Sequence, residues 1–98
     1  MYFITAICND SRSDYFRNTR CFGYYKLALD AIRAVNQNRG DMHEGLYDYI
    51  VIEQIDEGIH TSPSNEIWFK WDEFDKDSKW IVTDKPAWSK GYINWSIG

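Results

Sequence analysis

Glu53 is the side chain of this chain in the most chemical tension. Over residues 47–55, strand-like alternation puts Tyr47, Tyr49, Val51, Glu53 and Ile55 on one face. A carboxylate between apolar and aromatic neighbours must be paired or hydrogen-bonded. It can close a salt bridge at a sheet edge, or it can anchor a polar ligand. Arg20 is its natural partner or co-ligand. Arg17-Asn18-Thr19-Arg20 leads directly into Cys21-Phe22-Gly23-Tyr24-Tyr25. A guanidinium beside stackable rings suits phosphate or a nucleobase, with a planar fork for the oxygens and a flat face for the base. It equally suits a surface arginine that lays its methylenes over apolar area. If residues 20–25 pair in the same sheet as Glu53, the two charges can face one pocket. The candidate ligand-binding set is Arg20, Tyr24, Tyr47, Glu53 and Trp68.

Other constellations point away from catalysis. Cys21 and His43 have no evident third group to orient them, and a thiol in an apolar segment is usually a small hydrophobe. Asp72-Glu73 and the Asp75/Asp77 pair read as solvated turn charges. No glycine loop is built to cradle a phosphate. Neither His43 nor His60 has a partner at metal-ligand spacing. The expectation is no catalytic residue, no metal and no cofactor, hence a protein that is not an enzyme.

The aromatic residues are concentrated late in the chain. All five tryptophans lie between Trp68 and Trp95, with Phe69, Phe74 and Tyr92 among them. So many rings in one small domain predict some half-exposed ones, available for stacking. The 98 residues are 44% hydrophobic, which suits one folded domain. A formal net charge of −4 disfavours duplex DNA and permits contact with a basic protein. The apolar run at residues 1–8 is too short for a leader or a membrane span, so a cytoplasmic setting with Cys8 and Cys21 reduced is expected.

These side chains need elements to position them. Residues 2–8 read as a central strand, residues 9–18 as a polar surface loop, and residues 20–25 as a partner strand in which Gly23 marks a bulge. Residues 26–38 form the one amphipathic helix. Leu27, Ala28, Ala31, Ile32 and Val35 make its apolar stripe, and Gly40 is available as a left-handed stop. Strands follow at residues 47–55, 66–71 and 79–83, the last two as a hairpin around the turn at 75–78. Residues 62–65 form a loop, and residues 92–97 can add a short edge strand. The expected class is α+β, with a single amphipathic helix packed on a mostly antiparallel sheet of five to six strands. The other sheet face must be covered by rings, by a second copy in a homo-oligomer, or by ligand.

Several of these residues together resemble a known family. Arg20-Cys21-Phe22-Gly23-Tyr24-Tyr25, then Asn38, Asp41 and Glu44, then Tyr47-Asp48-Tyr49-Ile50-Val51-Ile52-Glu53 and Gly58-Ile59 are similar to a family of small uncharacterised proteins of Firmicutes and their phages and mobile elements. Trp68-Phe69-Lys70-Trp71, Pro86, Asn94 and Ile97-Gly98 extend the likeness over most of the chain from Arg20 onward. The loop at residues 9–18 is longer than that family's pattern. The resemblance implies no activity and no catalytic residues. It implies a setting in which small proteins disarm bacterial defences. The leading expectation is a non-enzymatic binding protein that sequesters a nucleotide-like small molecule. One alternative is an acidic inhibitor docking on a basic host protein such as a defence nuclease. Another is a structural or housekeeping phage protein.

Overall fold

A computed structural model describes residues 1–8, 18–43, 47–59, 65–72, 79–89 and 95–96. Five strands and one helix occur in the order β1 Tyr2–Cys8, β2 Asn18–Tyr25, α1 Ala28–Asn36, β3 Tyr49–Gln54, β4 Glu66–Asp72 and β5 Lys79–Thr83. Short 3-10 turns follow α1 at Arg39–Asp41 and follow β5 at Ala87–Ser89. The strands form one sheet in the order β2-β1-β3-β4-β5, with every neighbouring pair antiparallel. The fold is α+β, a single helix on an antiparallel five-stranded sheet.

The two middle strands explain why both faces are covered. In β1 the run Ile4-Thr5-Ala6-Ile7 is buried without a break, and in β3 so is Ile50-Val51-Ile52-Glu53. Successive residues point to opposite faces, so unbroken burial requires cover on both. On one face α1 brings Ala31, Ala34 and Val35 onto Ile4, Ala6, Ile50, Ile52, Phe69 and Trp80. On the other, Ile7, Val51, Trp68 and Trp95 form a second core, with Tyr49 and Trp88 packed against it.

The expected bulge is present. Ile4 pairs with Gly23 and Thr5 with Cys21, which leaves Phe22 as the extra residue. Gly23 there has a φ of 153°, a conformation that side chains rarely adopt. The helix is shorter than residues 26–38 and its stripe is shifted. Leu27 sits outside it on extended backbone and is exposed, whereas Ala34 is buried. A residue ahead of the first turn is out of helical phase, so 3.6-residue spacing does not apply to Leu27. The stop comes earlier too: Asn38 takes the left-handed conformation at φ 48°, ψ 44°.

Strand β3 begins at Tyr49, so alternation does not reach Tyr47. That ring packs on the helix-side core, edge-on to Phe22. The tryptophans divide by burial, with some only half-covered as expected. Trp68, Trp80 and Trp95 are buried, and Trp71 and Trp88 are partly so. The sheet absorbs them by alternation, Trp71 and Trp80 into the helix-side core, and Trp68, Trp88 and Trp95 into the other. Their rings meet edge to face at 5.2–5.8 Å. Residues 9–17, 44–46, 60–64, 73–78, 90–94 and 97–98 lie outside the described residues. The polar loop, the 62–64 loop, the 75–78 turn, Glu73, Phe74, His60 and most of the last edge strand fall there.

Candidate functional site

The sheet register decides which predicted site residues can meet. Arg20 pairs with Ala6, a member of the helix-side core. Its guanidinium carbon lies 4.6 Å from the centre of the Phe22 ring, on that same side. Tyr47 belongs to this side as well. Glu53 pairs with Phe3 and with Glu66, and Phe3 pairs with Tyr24. Trp68 pairs with Val51 of the second core. Arg20 and Tyr47 are therefore on one face of the sheet, and Tyr24, Glu53 and Trp68 on the other. The shared Arg20–Glu53 pocket does not form. Two interposed strand positions of unlike parity separate these residues, and a one-residue change of parity reverses the face.

Glu53 has a different partner from any weighed above. It is fully buried, and its two carboxylate oxygens accept the backbone N–H groups of Trp95 at 2.9 Å and Ser96 at 3.0 Å. The carboxylate thus pins the segment that covers the second core. Burial pushes its pKa above the ordinary glutamate value. The two backbone donors oppose that shift and the nearby Glu66 reinforces it. Glu66, directly across the strand, accepts the Trp68 indole N–H at 2.9 Å and the Lys85 ammonium at 3.3 Å. Trp68 has spent its polar atom inside the fold. Tyr24 is exposed, and its ring leans on Phe3 at 5.4 Å.

A concavity of about 340 Å³ opens between β2 and the turn that follows α1. Ile4, Ala34 and Met42, all buried, make its floor. Phe22, Tyr25, Arg39 and Gly40 make its sides. Arg39 donates from Nη1 to the Tyr25 hydroxyl at 3.2 Å and from Nε to Gln37 Oε1 at 2.8 Å. Gly40 has a φ of 72°, and a Cβ there would stand 3.6 Å from the Phe22 ring, inside the gap. Asn38 locks the turn. Its Oδ1 accepts the Trp80 indole N–H at 3.0 Å and the His43 amide at 3.3 Å, while its Nδ2 donates to Asp41 at 3.1 Å. His43 in turn stacks on Trp71 with ring centres 3.9 Å apart.

No protein-family model, no curated protein and no solved structure matches the chain.

A second groove, of about 470 Å³, lies beside the Glu66–Lys85 ion pair. Glu66 and Lys85 answer one another there, and Asp84 also lines it. In the first concavity Arg39 meets only Gln37 and Tyr25, and Arg20 nearby meets only Phe22, with no carboxylate among the described residues. No three His, Cys, Asp or Glu side chains gather as a metal site among the described residues. Cys21 lies opposite Thr5 and Cys8 opposite Asn18, three positions apart along the β1–β2 pair, and no disulfide joins them. Among the described residues no helix is long and apolar enough to cross a membrane.

Sequence reasoning located β2 correctly but missed Tyr25, Arg39 and Gly40 as a group. Asn38-Arg39-Gly40 was legible only as a helix stop. The signal available was an arginine held between two residues that tolerate left-handed backbone, which puts its side chain at a fixed turn and not on a helix face.

Proposed function

We propose that this chain is a non-enzymatic binding protein that holds a small, planar, nucleotide-like molecule in the concavity between β2 and the turn after α1. One observation carries the reading: an open space of about 340 Å³ sided by Phe22, Tyr25 and an arginine without a carboxylate partner among the described residues. Ligand clefts are commonly roughly 300–1,000 Å³, apolar at the base with a few polar groups at the edge. Rings beside a guanidinium are the chemistry of base and phosphate recognition. The setting is the one the family resemblance implies, a phage or mobile-element protein in the bacterial cytoplasm that removes a nucleotide signal from a defence system. Sequestration needs tight binding and no turnover, and the described lining of the concavity offers rings and a guanidinium for holding a ligand.

The alternative of an acidic inhibitor on a basic nuclease surface keeps the net charge of −4 in its support. It has fewer exposed tryptophans to anchor it, since Trp68, Trp80 and Trp95 are buried and Trp71 and Trp88 partly so.

Native mass spectrometry of the protein taken from its producing cells tests the proposal, together with melting in a nucleotide panel. The expected result is a retained nucleotide mass. A ligand at one hundred times its Kd stabilises the fold by about 2.7 kcal/mol. For a domain of this size that raises Tm by on the order of 10 °C. No retained mass and no shift with any member of the panel would overturn the reading.

A further inference from the structure

We infer that the nucleotide held in the concavity is one residue of a single-stranded oligonucleotide, whose neighbouring phosphates run along Arg20, Arg39 and Arg33. This rests on the concavity being a nucleotide site, and it adds the class of molecule to which the nucleotide belongs.

Charge is segregated along this chain. All five arginines lie between Arg12 and Arg39, whereas 12 of the 15 acidic residues lie from Asp41 onward. Three of the arginines are described, and all three are exposed. The fold gathers them at the β2 edge of the sheet. Arg20 covers the Phe22 ring at 4.6 Å, and that ring lies against Gly40. Arg39, beside Gly40, reaches the Tyr25 hydroxyl and the Gln37 side chain. Gln37 stands one helical turn after Arg33, with its N–H on the Arg33 carbonyl, so the two share a side of the helix end. Arginines and rings therefore interleave on one surface. The carboxylates of this region are Asp41, which accepts from Asn38 Nδ2, and Asp30, a full turn away in the first turn of α1. The ion pair among the described residues, Lys85–Glu66, belongs to the far side of the sheet.

Positive charge along a backbone track, with rings on which bases stack, is how proteins hold single-stranded nucleic acid. The spread of the charges favours a strand over a mononucleotide. From Arg20 to Tyr25, β2 covers roughly 16 Å at about 3.3 Å per residue. Guanidinium groups set along such a length meet successive phosphates, not the oxygens of a single one. Duplex fits poorly, because its bases are stacked away from Phe22 and Tyr25 and the chain as a whole carries a charge of −4. An acidic peptide would answer the arginines but brings no flat face to the rings.

The test is fluorescence anisotropy of a labelled oligothymidylate of about a dozen nucleotides, within the usual span of single-strand sites. Competitors are thymidine 5′-monophosphate, a duplex of the same length and polyglutamate. The oligothymidylate should bind saturably and resist all three competitors at equal concentration. Three phosphate contacts predict that log K falls against log salt with a slope of about −2, at roughly −0.7 per contact. Arg20→Gln, Arg33→Gln and Arg39→Gln should each weaken binding by roughly 10- to 100-fold, the scale of a lost charge-assisted hydrogen bond. Lys70→Gln, exposed on β4 on the Trp68 side of the sheet, should not. All four side chains are exposed, so the variants should keep the wild-type melting point. No binding of the oligothymidylate, or binding that the three arginine variants leave unchanged, overturns the inference. Equal displacement by duplex or by polyglutamate overturns it as well, the latter in favour of an acidic protein partner. Thymidine 5′-monophosphate that raises the melting point while the oligothymidylate does not bind overturns the strand and leaves the proposed function standing. Phe22→Leu that keeps full oligothymidylate affinity, while the arginine variants lose it, overturns the concavity as the nucleotide site and leaves the arginine surface.

Discussion

Glu53 shows how a residue can be singled out from sequence and still be misassigned. Its place between Val51 and Ile55 made burial legible. Its partners were not, because they are backbone amides 42 and 43 residues away, and no residue type marks an amide donor. An acceptor of two N–H groups from one bend acts as a clasp. The clasp is electrostatically imperfect, since burial raises the pKa above the ordinary value and Glu66 adds repulsion. The sign of the consequence follows from linkage. The folded state binds the Glu53 proton more tightly than the unfolded chain does. Its contribution to stability is therefore full below the unfolded pKa and is lost as pH rises through the higher folded one. Paired carboxylates with lowered pKa behave in the opposite way. Glu53→Gln removes this titration but sets an amide NH₂ against one backbone donor, costing about 1–3 kcal/mol at neutral pH. Urea unfolding of both proteins across the acid range should show the wild type gaining on the variant as pH falls from neutral toward the ordinary glutamate pKa. A difference that is flat, or that shrinks on acidification, would remove the raised pKa from the account.

At the scale of elements, alternation and helical spacing read well in the interior of each segment and fail at its ends. β4 alternates as expected, with Ile67, Phe69 and Trp71 toward α1 and Trp68 away from it. β1, β2 and β5 also stand where β-branched and aromatic residues put them. The errors are at Leu27 and Tyr47, each one or two residues outside the regular element. There the side chain goes where the connection turns, not where periodicity points. This decides which helix positions matter. Ala34 is buried against the sheet and Arg33 beside it is exposed. Ala34→Asp should destabilise by on the order of 3–5 kcal/mol, because it places an uncompensated charge in the core. Arg33→Ala should change stability by less than about 0.5 kcal/mol. Equal melting temperatures for the two variants would mean that α1 does not lie on the sheet by this face. The missed site belongs to this scale too. The concavity exists because a strand bulge at Phe22 and a left-handed turn at Asn38 meet across the helix end, and neither feature fixes the other locally in sequence.

For the whole molecule, the crowding of tryptophans admitted two physical outcomes, a wet aromatic surface or a second dry core. The fold takes the second. Trp68, Trp88 and Trp95 pack edge to face in a triangle with sides of 5.7–5.8 Å, over Ile7 and Val51. Sequence could not separate the outcomes, because the residues that close the triangle come from β4, from the turn after β5 and from the bend at Trp95. A sheet with a core on each face should fold as one unit, since β1 and β3 contribute to both. Trp95→Ala tests this from the second face and Ile50→Ala from the helix face. Trp→Ala in a packed site costs about 3–5 kcal/mol and Ile→Ala about 2–5 kcal/mol. Against a total of about 5–15 kcal/mol for a small domain, either loss is large. In urea, each variant should show one transition at a lower midpoint with the wild-type slope, by tryptophan fluorescence and by far-ultraviolet circular dichroism alike. The result that would break this picture is specific. If Trp95→Ala lowers the fluorescence midpoint while the dichroism transition stays in place, the second face opens separately from the sheet. The clasp at Glu53 would then hold a cover, and not one half of a single cooperative core.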